Sequence, residues 1–509
     1  MKKLLAILLA LTLALGMLPG ALAEAEAVKI VYAFNGNGMQ TDTALVQEAL
    51  NEWLKSHEGY EHISIELQPY ANKELASAIT LAQASGEQID ICNSYGVSLG
   101  DYVADGYAIP LDDLLTNTDI PAELPEWLLD LGKYNGVTYF VPNYQNPANV
   151  RTLQIPVEYA QYYEGGVEAL QAVWLNPEST TKDKMATLEE FVLAVREGTG
   201  KETKWAQAPI YPQEFYQFDQ LNGTNIIVLA DSAEAICTWQ QDWFKDVLEV
   251  MGEWYSKGIV HPDCATYTAT DYMNENFLND ESFVYAFGNG MANTAEEATK
   301  INIITSNGIE QYQIPIWNEY FTTYSWGAGG NWITATCEHP EEAMMIIDLL
   351  NTEKGAEFYN LLVYGIESKQ YTKNEDGTIT TLEYDGSQGG ASCSYMTPGW
   401  MVGNTMNQYQ NQGFISSYGD RYVELCSSIG TSETTKHSLV AGILFDTTSV
   451  ADEIAQINAV VTEYDTTLRC GIAGEEWETY YNEFLEKLEA AGVQAVLDCY
   501  NEQIQANLE

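Results

Sequence analysis

The chain has 509 residues, of which 46% are hydrophobic and 12% aromatic, so it can form a large packed core in two or more domains. Its 73 acidic and 22 basic residues give a formal net charge of −51. Nucleic acids and anionic membrane surfaces repel so acidic a chain, which argues against both as partners.

The N-terminal segment has the pattern of an export signal. Lys2 and Lys3 precede an apolar run, and the small residues of a cleavage site end at Ala23. We therefore expect residues 1–23 to be a signal peptide and the mature protein to be soluble, in a periplasm or outside the cell. The first cysteine is Cys92, so no cysteine follows the apolar run to carry a lipid.

The first part of the mature chain alternates between strand-like and helix-like segments. Residues 28–34, 62–70 and 88–96 are rich in β-forming residues. Between them, residues 41–57 carry apolar side chains at the spacing of one helical face, and residues 72–86 begin at an Asn and end at a Gly. This β-α-β-α-β order predicts an α/β fold with a mostly parallel sheet and helices on both faces.

Further elements follow along the chain. The predicted helices are 187–200, 239–258, 449–471 and 475–509, and the predicted strand segments are 132–145, 281–290 and 301–315. The acidic, glycine-rich residues 374–390 predict a surface loop or a hairpin. Apolar residues at 343, 346, 347 and 350 predict the buried face of a helix that has Pro340 in its first turn.

Sequence motifs of common enzymes and metal sites are absent. The chain has no P-loop, no G-x-G-x-x-G after a strand, no H-E-x-x-H and no G-x-S-x-G. Two carboxylates could hydrolyse a glycoside, but none of the many possible pairs is singled out by its context. The eight cysteines form no C-x-x-C pair and the five histidines do not cluster, so we expect no metal and no cofactor. The sequence leaves open whether the cysteines form disulfides.

Neutral polar and aromatic residues follow several predicted strands. In an open α/β sheet, ligands bind outside the carboxyl ends of the strands. Amides and hydroxyls bind sugar hydroxyl groups, and aromatic rings stack on the C–H faces of sugars. The candidate ligand-binding residues at these positions are Asn35, Asn37, Ser94, Tyr95, Asn143, Tyr144, Gln145 and Phe287.

The mature chain resembles the extracellular solute-binding proteins of ATP-driven importers, the group that includes maltose-binding protein. The segments that carry the resemblance are IDICNSYG (89–96), DYVADGYAIPLDDLL (101–115), GKYNGVTYFVPNYQ (132–145) and a glycine-bearing strand followed by Pro340-Glu341-Glu342-Ala343. Segments 361–371, 398–404, 444–464 and 483–505 are similar to a subgroup of large lipoproteins associated with oligosaccharide uptake. The chain departs from that subgroup in lacking the lipid-bearing cysteine, and in having Ser368 where glycine is common.

The resemblance implies a two-lobed, type II periplasmic-binding-protein-like fold, with the ligand cleft between lobes that a multi-strand hinge joins. Lobe 1 is predicted to comprise 24–144 plus 327–395, and lobe 2 to comprise 145–326 plus 396–509. The implied function is capture of a carbohydrate, and specifically an oligosaccharide, by lobe closure. The implied partners are the sugar and the permease subunits of an ABC transporter in the membrane, with the binding protein acting as a monomer and not as an enzyme.

Two other classes of function are alternatives to a solute-binding protein of an importer. An exported carbohydrate-active hydrolase is the alternative, and it would release product from an oligosaccharide. An adhesion or scaffold protein is the third, and it would gain no thermal stability from a small ligand.

Three tryptophans are the predicted stacking residues: Trp326, Trp332 and Trp400. The first two bracket the glycine-rich run SWGAGGNW, which the resemblance makes a strand crossing between the lobes. The glycines would permit bending or close backbone approach. Trp326 and Trp332 lie six residues apart and would share one face of a regular strand, although a glycine bulge would break that relation. We expect at least one of them to contact ligand.

Overall fold

The structure is a computed structural model of the chain. It describes residues 27–508 except 72–73, 96, 98, 146–147, 149–150, 206–207, 222–224, 267–286, 290–300, 307–308, 323–328, 383–393, 411–427 and 430–431, and it describes residues 287–289, 302, 304–306 and 309 by their backbone alone. The predicted signal peptide lies outside the described residues.

The described elements follow an α/β order. The strands are β1 (Val28–Asn35), β2 (Ile63–Tyr70), β3 (Ile91–Asn93), β4 (Lys133–Tyr134), β5 (Val137–Thr138), β6 (Val141–Pro142), β7 (Arg151–Pro156), β8 (Phe218–Leu221), β9 (Ile226–Leu229), β10 (Ala235–Cys237), β11 (Phe287–Asn289), β12 (Asn302–Ser306), β13 (Ile309–Pro315), β14 (Phe321–Thr322), β15 (Gly330–Ile333), β16 (Tyr371–Lys373), β17 (Ile379–Thr381) and β18 (Lys436–His437). The α-helices are α1 (Thr43–Ser56), α2 (Leu75–Ser85), α3 (Leu99–Ala104), α4 (Asp112–Leu115), α5 (Ile120–Glu123), α6 (Glu126–Asp130), α7 (Gly166–Leu175), α8 (Thr181–Thr199), α9 (Asp242–Ser256), α10 (Pro340–Asn351), α11 (Ala356–Tyr364), α12 (Gly399–Val402), α13 (Ala451–Arg469), α14 (Trp477–Ala490) and α15 (Val493–Leu508).

Lobe 1 is built on a five-stranded sheet in the order β2-β1-β3-β15-β6. Strand β1 is parallel to β2 and β3, whereas β15 is antiparallel to β3 and β6. All but one of the eight residues of β1 are buried, as expected of a central strand with helices on both faces. The predicted parallel β-α-β-α-β start is therefore confirmed.

The helices of lobe 1 follow the predicted apolar pattern. In α10 the buried residues include Ala343, Ile346, Ile347 and Leu350, and Pro340 lies in the first turn, as predicted. The acidic segment after Tyr371 forms the β16–β17 hairpin, which was one of the two predicted forms for the part of 374–390 that the structure describes.

Lobe 2 has its own sheets and its own hydrophobic core. A four-stranded sheet has the order β11-β7-β13-β12, and a three-stranded sheet has the order β10-β9-β8. Its core contains Leu153, Trp254 and Ile314 together with Phe484 and Tyr500 from the C-terminal helices. Tyr32 and Ile346 belong to a different core. The described residues thus form two separately packed lobes, as the resemblance implied.

The chain on both sides of residue 395, the predicted end of lobe 1, packs in one core. Tyr395 and Val402 belong to the same core as β1, so the segment that includes α12 packs with lobe 1. The reason is that α12 is hydrogen-bonded to side chains at the ends of the lobe 1 strands, as described below.

Between the lobes, Thr322 of β14 pairs with β18 and also forms a bridge to Ala148, so several strands meet at the crossing.

A second contact between the lobes is made by residues 438–445, which we call the strap. Val440 belongs to the lobe 2 core, whereas Leu444 packs on lobe 1 residues. The carbonyl of Gly442 accepts a hydrogen bond of 3.0 Å from the backbone N–H of Asn135, in the β4–β5 turn. In the described part of the chain, none of the helices has the length and apolar character needed to cross a membrane.

Candidate ligand-binding site

Four strands of lobe 1 bring loop residues to one edge of the sheet. Strands β1, β3 and β6 run in the same direction, because β15 is antiparallel to both β3 and β6. Asn35 ends β1, Asn93 ends β3, Asn143 follows β6, and Gly330 begins β15 at the same edge. This is the edge at which open α/β sheets bind ligands.

Two predicted residues, Asn35 and Asn143, present buried amide groups at this edge. The Asn35 side chain donates from Nδ2 to the carbonyl of Tyr95 at 3.0 Å, and that of Asn143 donates to the carbonyl of Trp400 at 3.0 Å. Neither Oδ1 atom has a hydrogen-bond partner within the part of the chain that the structure describes. A buried acceptor without a partner destabilises a protein by about 1–3 kcal/mol, and a ligand hydroxyl group would satisfy it.

An aromatic pair lies at the same edge. The rings of Tyr95 and Trp400 meet edge to face, with centroids 4.7 Å apart and planes at 89°. Both side chains are half-buried, so each keeps part of its surface accessible. Ser94, before Tyr95, is buried, and its N–H donates to the carbonyl of Gly330 at 2.8 Å. The structure therefore brings Asn35, Ser94, Tyr95, Asn143 and Trp400 together.

Three other predicted residues lie nearby with different contacts. The ring of Tyr144 packs edge to face on Trp127, with centroids 6.2 Å apart. The Asn37 Nδ2 donates to the carbonyl of Met396 at 2.8 Å, so this amide anchors the loop after β1. Gln145 is half-buried, and its Nε2 lies 3.6 Å from the position that a Cβ on Gly329 would take.

Trp332 is a core residue and not a wall of the cleft. It is fully buried, with its ring 5.5 Å from that of Tyr102 and 6.1 Å from that of Tyr107. The expectation that Trp332 stacks on ligand is therefore corrected, because β15 is an inner strand and all four of its residues are buried. Trp326 and the side chain of Phe287 lie outside the described residues.

Gly330, two residues before Trp332, allows a close approach of the neighbouring strand, which is one of the two roles predicted for the glycines of this run. A Cβ on Gly330 would lie 2.4 Å from Cδ2 of Phe140 and 2.6 Å from the carbonyl oxygen of Val141. No larger residue fits there without a shift of backbone. Gly330 pairs with Pro142 of β6, and the N–H of Asn143 donates to the carbonyl of Gly329 at 2.7 Å, so this close approach lies directly beside Asn143.

Two functional candidates, Asn93 and Asn331, were missed. Both are fully buried amides at strand ends. Asn93 accepts a hydrogen bond at Oδ1 from the N–H of Asn35 at 3.2 Å, and Asn331 accepts one from the hydroxyl of Tyr32 at 2.7 Å. The available signal was an amide side chain inside an otherwise apolar or glycine-rich strand, in ICNSY and GGNWI.

The electrostatics of the two lobes differ near the crossing. The lobe 1 edge residues 35–37, 93–95, 143–145, 329–330 and 400 have no charged side chain. In lobe 2, Arg151 at the start of β7 forms an ion pair with the buried Glu214, with Nη2 and Oε1 3.7 Å apart. Burial raises the pKa of the Glu214 carboxyl to about 7, although Arg151 acts in the opposite direction.

Among the described residues, no group of three His, Cys, Asp or Glu side chains could hold a metal ion.

Two family models match the sequence. The model described as "Bacterial extracellular solute-binding protein" matches residues 48–377. A model described as "Domain of unknown function (DUF3502)" matches residues 440–509. A comparison with curated proteins found no match.

Solved structures share the fold over nearly the whole chain. The N-glycan transport solute binding protein NgtS of Streptococcus pneumoniae is 20% identical with a TM-score of 0.70, over 94% of this chain and 98% of that chain. The substrate binding protein FusA of S. pneumoniae, in complex with kestose, is 13% identical with a TM-score of 0.57, over 94% and 99%. An HMO binding solute binding protein of Bifidobacterium longum infantis is 14% identical with a TM-score of 0.57, over 94% and 99%. These identities show a shared fold, and the first family model covers well over half of the chain. The chain therefore belongs to the bacterial extracellular solute-binding proteins.

Proposed function

We propose that this exported protein captures an uncharged oligosaccharide and delivers it to the permease subunits of an ABC importer. One observation carries the proposal. Two buried amide oxygens without partners in the described chain, on Asn35 and Asn143, flank the half-buried aromatic pair Tyr95 and Trp400 at one edge of lobe 1. Acceptors for hydroxyl groups beside an aromatic face are what a sugar ring requires.

The chemistry of the edge favours a neutral sugar. The described lobe 1 edge residues carry no charged side chain, and the chain as a whole is strongly acidic. A uronate or sialylated glycan would meet neither a cation on this edge nor an attractive overall field. Two proteins of similar fold have been solved in complex with sugars: NgtS with Man1GlcNAc and FusA with kestose.

Capture works by closure and without covalent chemistry. In the open form, ligand rests on the lobe 1 edge, held by Asn35, Ser94, Tyr95, Asn143, Gln145 and Trp400. Lobe 2 then adds contacts that exist only in the closed form, so ligand shifts the equilibrium towards closure by that difference in affinity. Phe287 and Trp326 remain proposed contacts from lobe 2 and the crossing. A monomer suffices, because both halves of the cleft belong to one chain.

The family match gives no support to the hydrolase alternative, since the family is one of binding proteins. The candidate site gives no support to a hydrolase either. The described lobe 1 edge has no pair of carboxylates that could act as acid and nucleophile on a glycosidic bond.

The experiment is a calorimetric titration of the mature protein. The panel includes Man1GlcNAc and kestose as neutral oligosaccharides, and an alginate oligosaccharide as an acidic one. We expect saturable binding of at least one neutral oligosaccharide, recovery of that sugar intact, and a rise in melting temperature with ligand. Binding of peptides or of the acidic sugar alone would overturn the proposal, and so would release of hydrolysis product.

A further inference from the structure

Three buried asparagines, two within neighbouring strands and one directly after a third, hold three successive carbonyls of one short segment. Asn143 donates from Nδ2 to the carbonyl of Trp400 at 3.0 Å, and Asn93 donates to that of Met401 at 3.1 Å. Asn331 donates to the carbonyl of Val402 at 2.9 Å. We call these three residues the amide clamp. They lie far apart in sequence and meet only because β3, β15 and β6 are neighbours in the sheet.

The clamp satisfies acceptors that the segment cannot satisfy itself. The last carbonyls of a helix have no partner within it, and α12 has only four residues. The cap N–H of Gly403 donates to the carbonyl of Gly399, which leaves the carbonyls of residues 400–402 to the clamp. Three bonds in register fix both the position of the segment along the sheet edge and its rotation.

Other contacts hold the clamp and the segment from outside. Asn331 accepts from the Tyr32 hydroxyl at 2.7 Å, and Asn93 accepts from the N–H of Asn35 at 3.2 Å, so both amides are oriented on both sides. At the end of the segment, a Cβ on Gly403 would lie 2.3 Å from the carbonyl oxygen of Leu350. The segment therefore has little freedom to slide or turn.

The side chain that this arrangement presents is Trp400. We propose that Asn93, Asn143 and Asn331 are positioning residues that set the angle of the Trp400 ring against Tyr95, and thereby the affinity of the cleft for a sugar ring. The proposal rests on the proposed function for its ligand. Asn93 and Asn331 act without touching ligand, because in each of them both Nδ2 and Oδ1 are already bonded within the protein. Asn143 has a second role through its Oδ1 atom.

The test uses Asn331→Asp, which keeps the shape of the side chain and removes the N–H that binds Val402. The matched control is Asn360→Asp. Asn360 is also a buried amide of lobe 1, but its Nδ2 donates to the carbonyls of Ala356 and Asn407 and to none of the three clamped carbonyls. Both variants place a carboxylate beside backbone carbonyls, so general destabilisation is common to the two.

The first readout needs no ligand. The full mature chain is labelled with 5-fluorotryptophan, and Trp400→Phe assigns the Trp400 fluorine resonance. We expect Asn331→Asp to shift and broaden this resonance and Asn360→Asp to leave it in place. An unmoved Trp400 resonance in Asn331→Asp would overturn the proposal. If Asn331→Asp does not fold, Tyr32→Phe replaces it, because it removes the hydroxyl that orients the same amide, and the same shift is expected.

The second readout is a double-mutant cycle on the dissociation constant of the sugar that wild type binds. Loss of one oriented bond is expected to weaken binding about fivefold to tenfold in Asn331→Asp. In a Trp400→Ala background the same change is expected to have almost no effect, since the amide acts through the ring. An equal loss in both backgrounds would overturn the proposal. If wild type binds no oligosaccharide, the proposed function fails, while the fluorine experiment still decides whether the clamp orients Trp400.

Discussion

Tyr95 presents its ring at 89° to that of Trp400, with the centroids 4.7 Å apart, although the two residues come from segments far apart in the chain. Edge-to-face pairs of this geometry stabilise the orientation of both rings. In a T-shaped pair, one ring can stack on the face of a sugar while the other ring contacts the edge of the same sugar. The half-buried Trp400 and the fully buried Trp332 therefore have opposite predicted effects on binding and on stability.

Trp400→Ala is expected to weaken sugar binding at least tenfold and to change the free energy of unfolding little, because the ring is half-buried at an edge. Trp332→Ala is expected to destabilise the fold by about 3–5 kcal/mol, because it leaves a cavity in the core. Calorimetric titration and urea denaturation of both variants measure the two effects. Loss of binding in a stable Trp332→Ala, with normal binding in Trp400→Ala, would reverse the assignment.

Gly330→Ala and Gly329→Ala form a matched pair of neighbouring glycines. The first variant places a methyl group 2.4 Å from Phe140, and we expect it to destabilise lobe 1 by about 1–3 kcal/mol or more. At Gly329 the nearest atoms are 3.4 Å from the added carbon, so we expect less than about 1 kcal/mol. Chemical denaturation of both variants checks the difference. Equal stabilities would contradict the close approach of β15 to β6.

Glu214 predicts a pH dependence of stability. Its pKa is about 7 in the folded protein, above the usual value of a glutamate near 4.5, so between these pH values the folded state binds more protons than the unfolded state. By linkage, the stabilisation that it contributes is fully present below about pH 4.5 and is lost as the pH rises through about 7. The expected loss is of the order of 3 kcal/mol.

The measurement is the free energy of unfolding of wild type and Glu214→Gln from pH 5 to pH 8. The amide cannot titrate, so the stability of the variant relative to wild type is expected to rise across this range. The other carboxylates are common to both proteins and cancel in the difference. A difference that is independent of pH would show that Glu214 titrates as an ordinary carboxyl.

Gly442 and Gly377 have similar backbone conformations, with φ of +80° and +86°, and different surroundings. Alanine at either position is strained by about 1–2 kcal/mol. Only at Gly442 does the added carbon also approach another residue, at 2.8 Å from the carbonyl oxygen of Lys133. We therefore expect Gly442→Ala to be the more destabilising and to loosen the contact between the strap and lobe 1.

Calorimetric unfolding scans check this prediction. For Gly442→Ala we expect a lower melting temperature than for Gly377→Ala and a separation of the two lobes into distinct transitions. Superimposable scans of the two variants would mean that the strap contact carries no coupling between the lobes.

Sequence patterns predicted those elements whose buried face can be recognised from their own residues alone. The apolar run of β1 and the spacing of Ala343, Ile346 and Ile347 in α10 each reveal a buried surface without knowledge of a partner. The burial of Trp332 in the core could not be predicted in this way. In a sheet with helices on both faces, shared strand parity with Trp326 does not tell a core face from a cleft face.

The candidate site was predictable in part for the same reason. Asn35, Tyr95 and Asn143 follow strands, and the rule for the carboxyl ends of strands places them together. The roles of Asn93 and Asn331 depend on the carbonyls of a segment that comes much later in the chain. Only the strand order β3-β15-β6 brings these amides to α12. Pairings of that kind are set by tertiary structure and leave no local pattern.

The C-terminal region matched by DUF3502 cannot be a detachable module, because it shares its interior with the rest of the protein. Phe484 packs edge to face on Trp239, with centroids 5.0 Å apart, and the hydroxyl of Tyr481 donates to the carbonyl of Trp239. Leu444 reaches across to lobe 1 at the other end of the same region. Truncation before residue 440 would expose core residues of both lobes to solvent. Gene fusions, tags and surface tethers are therefore better joined beyond the last helix than anywhere within this region.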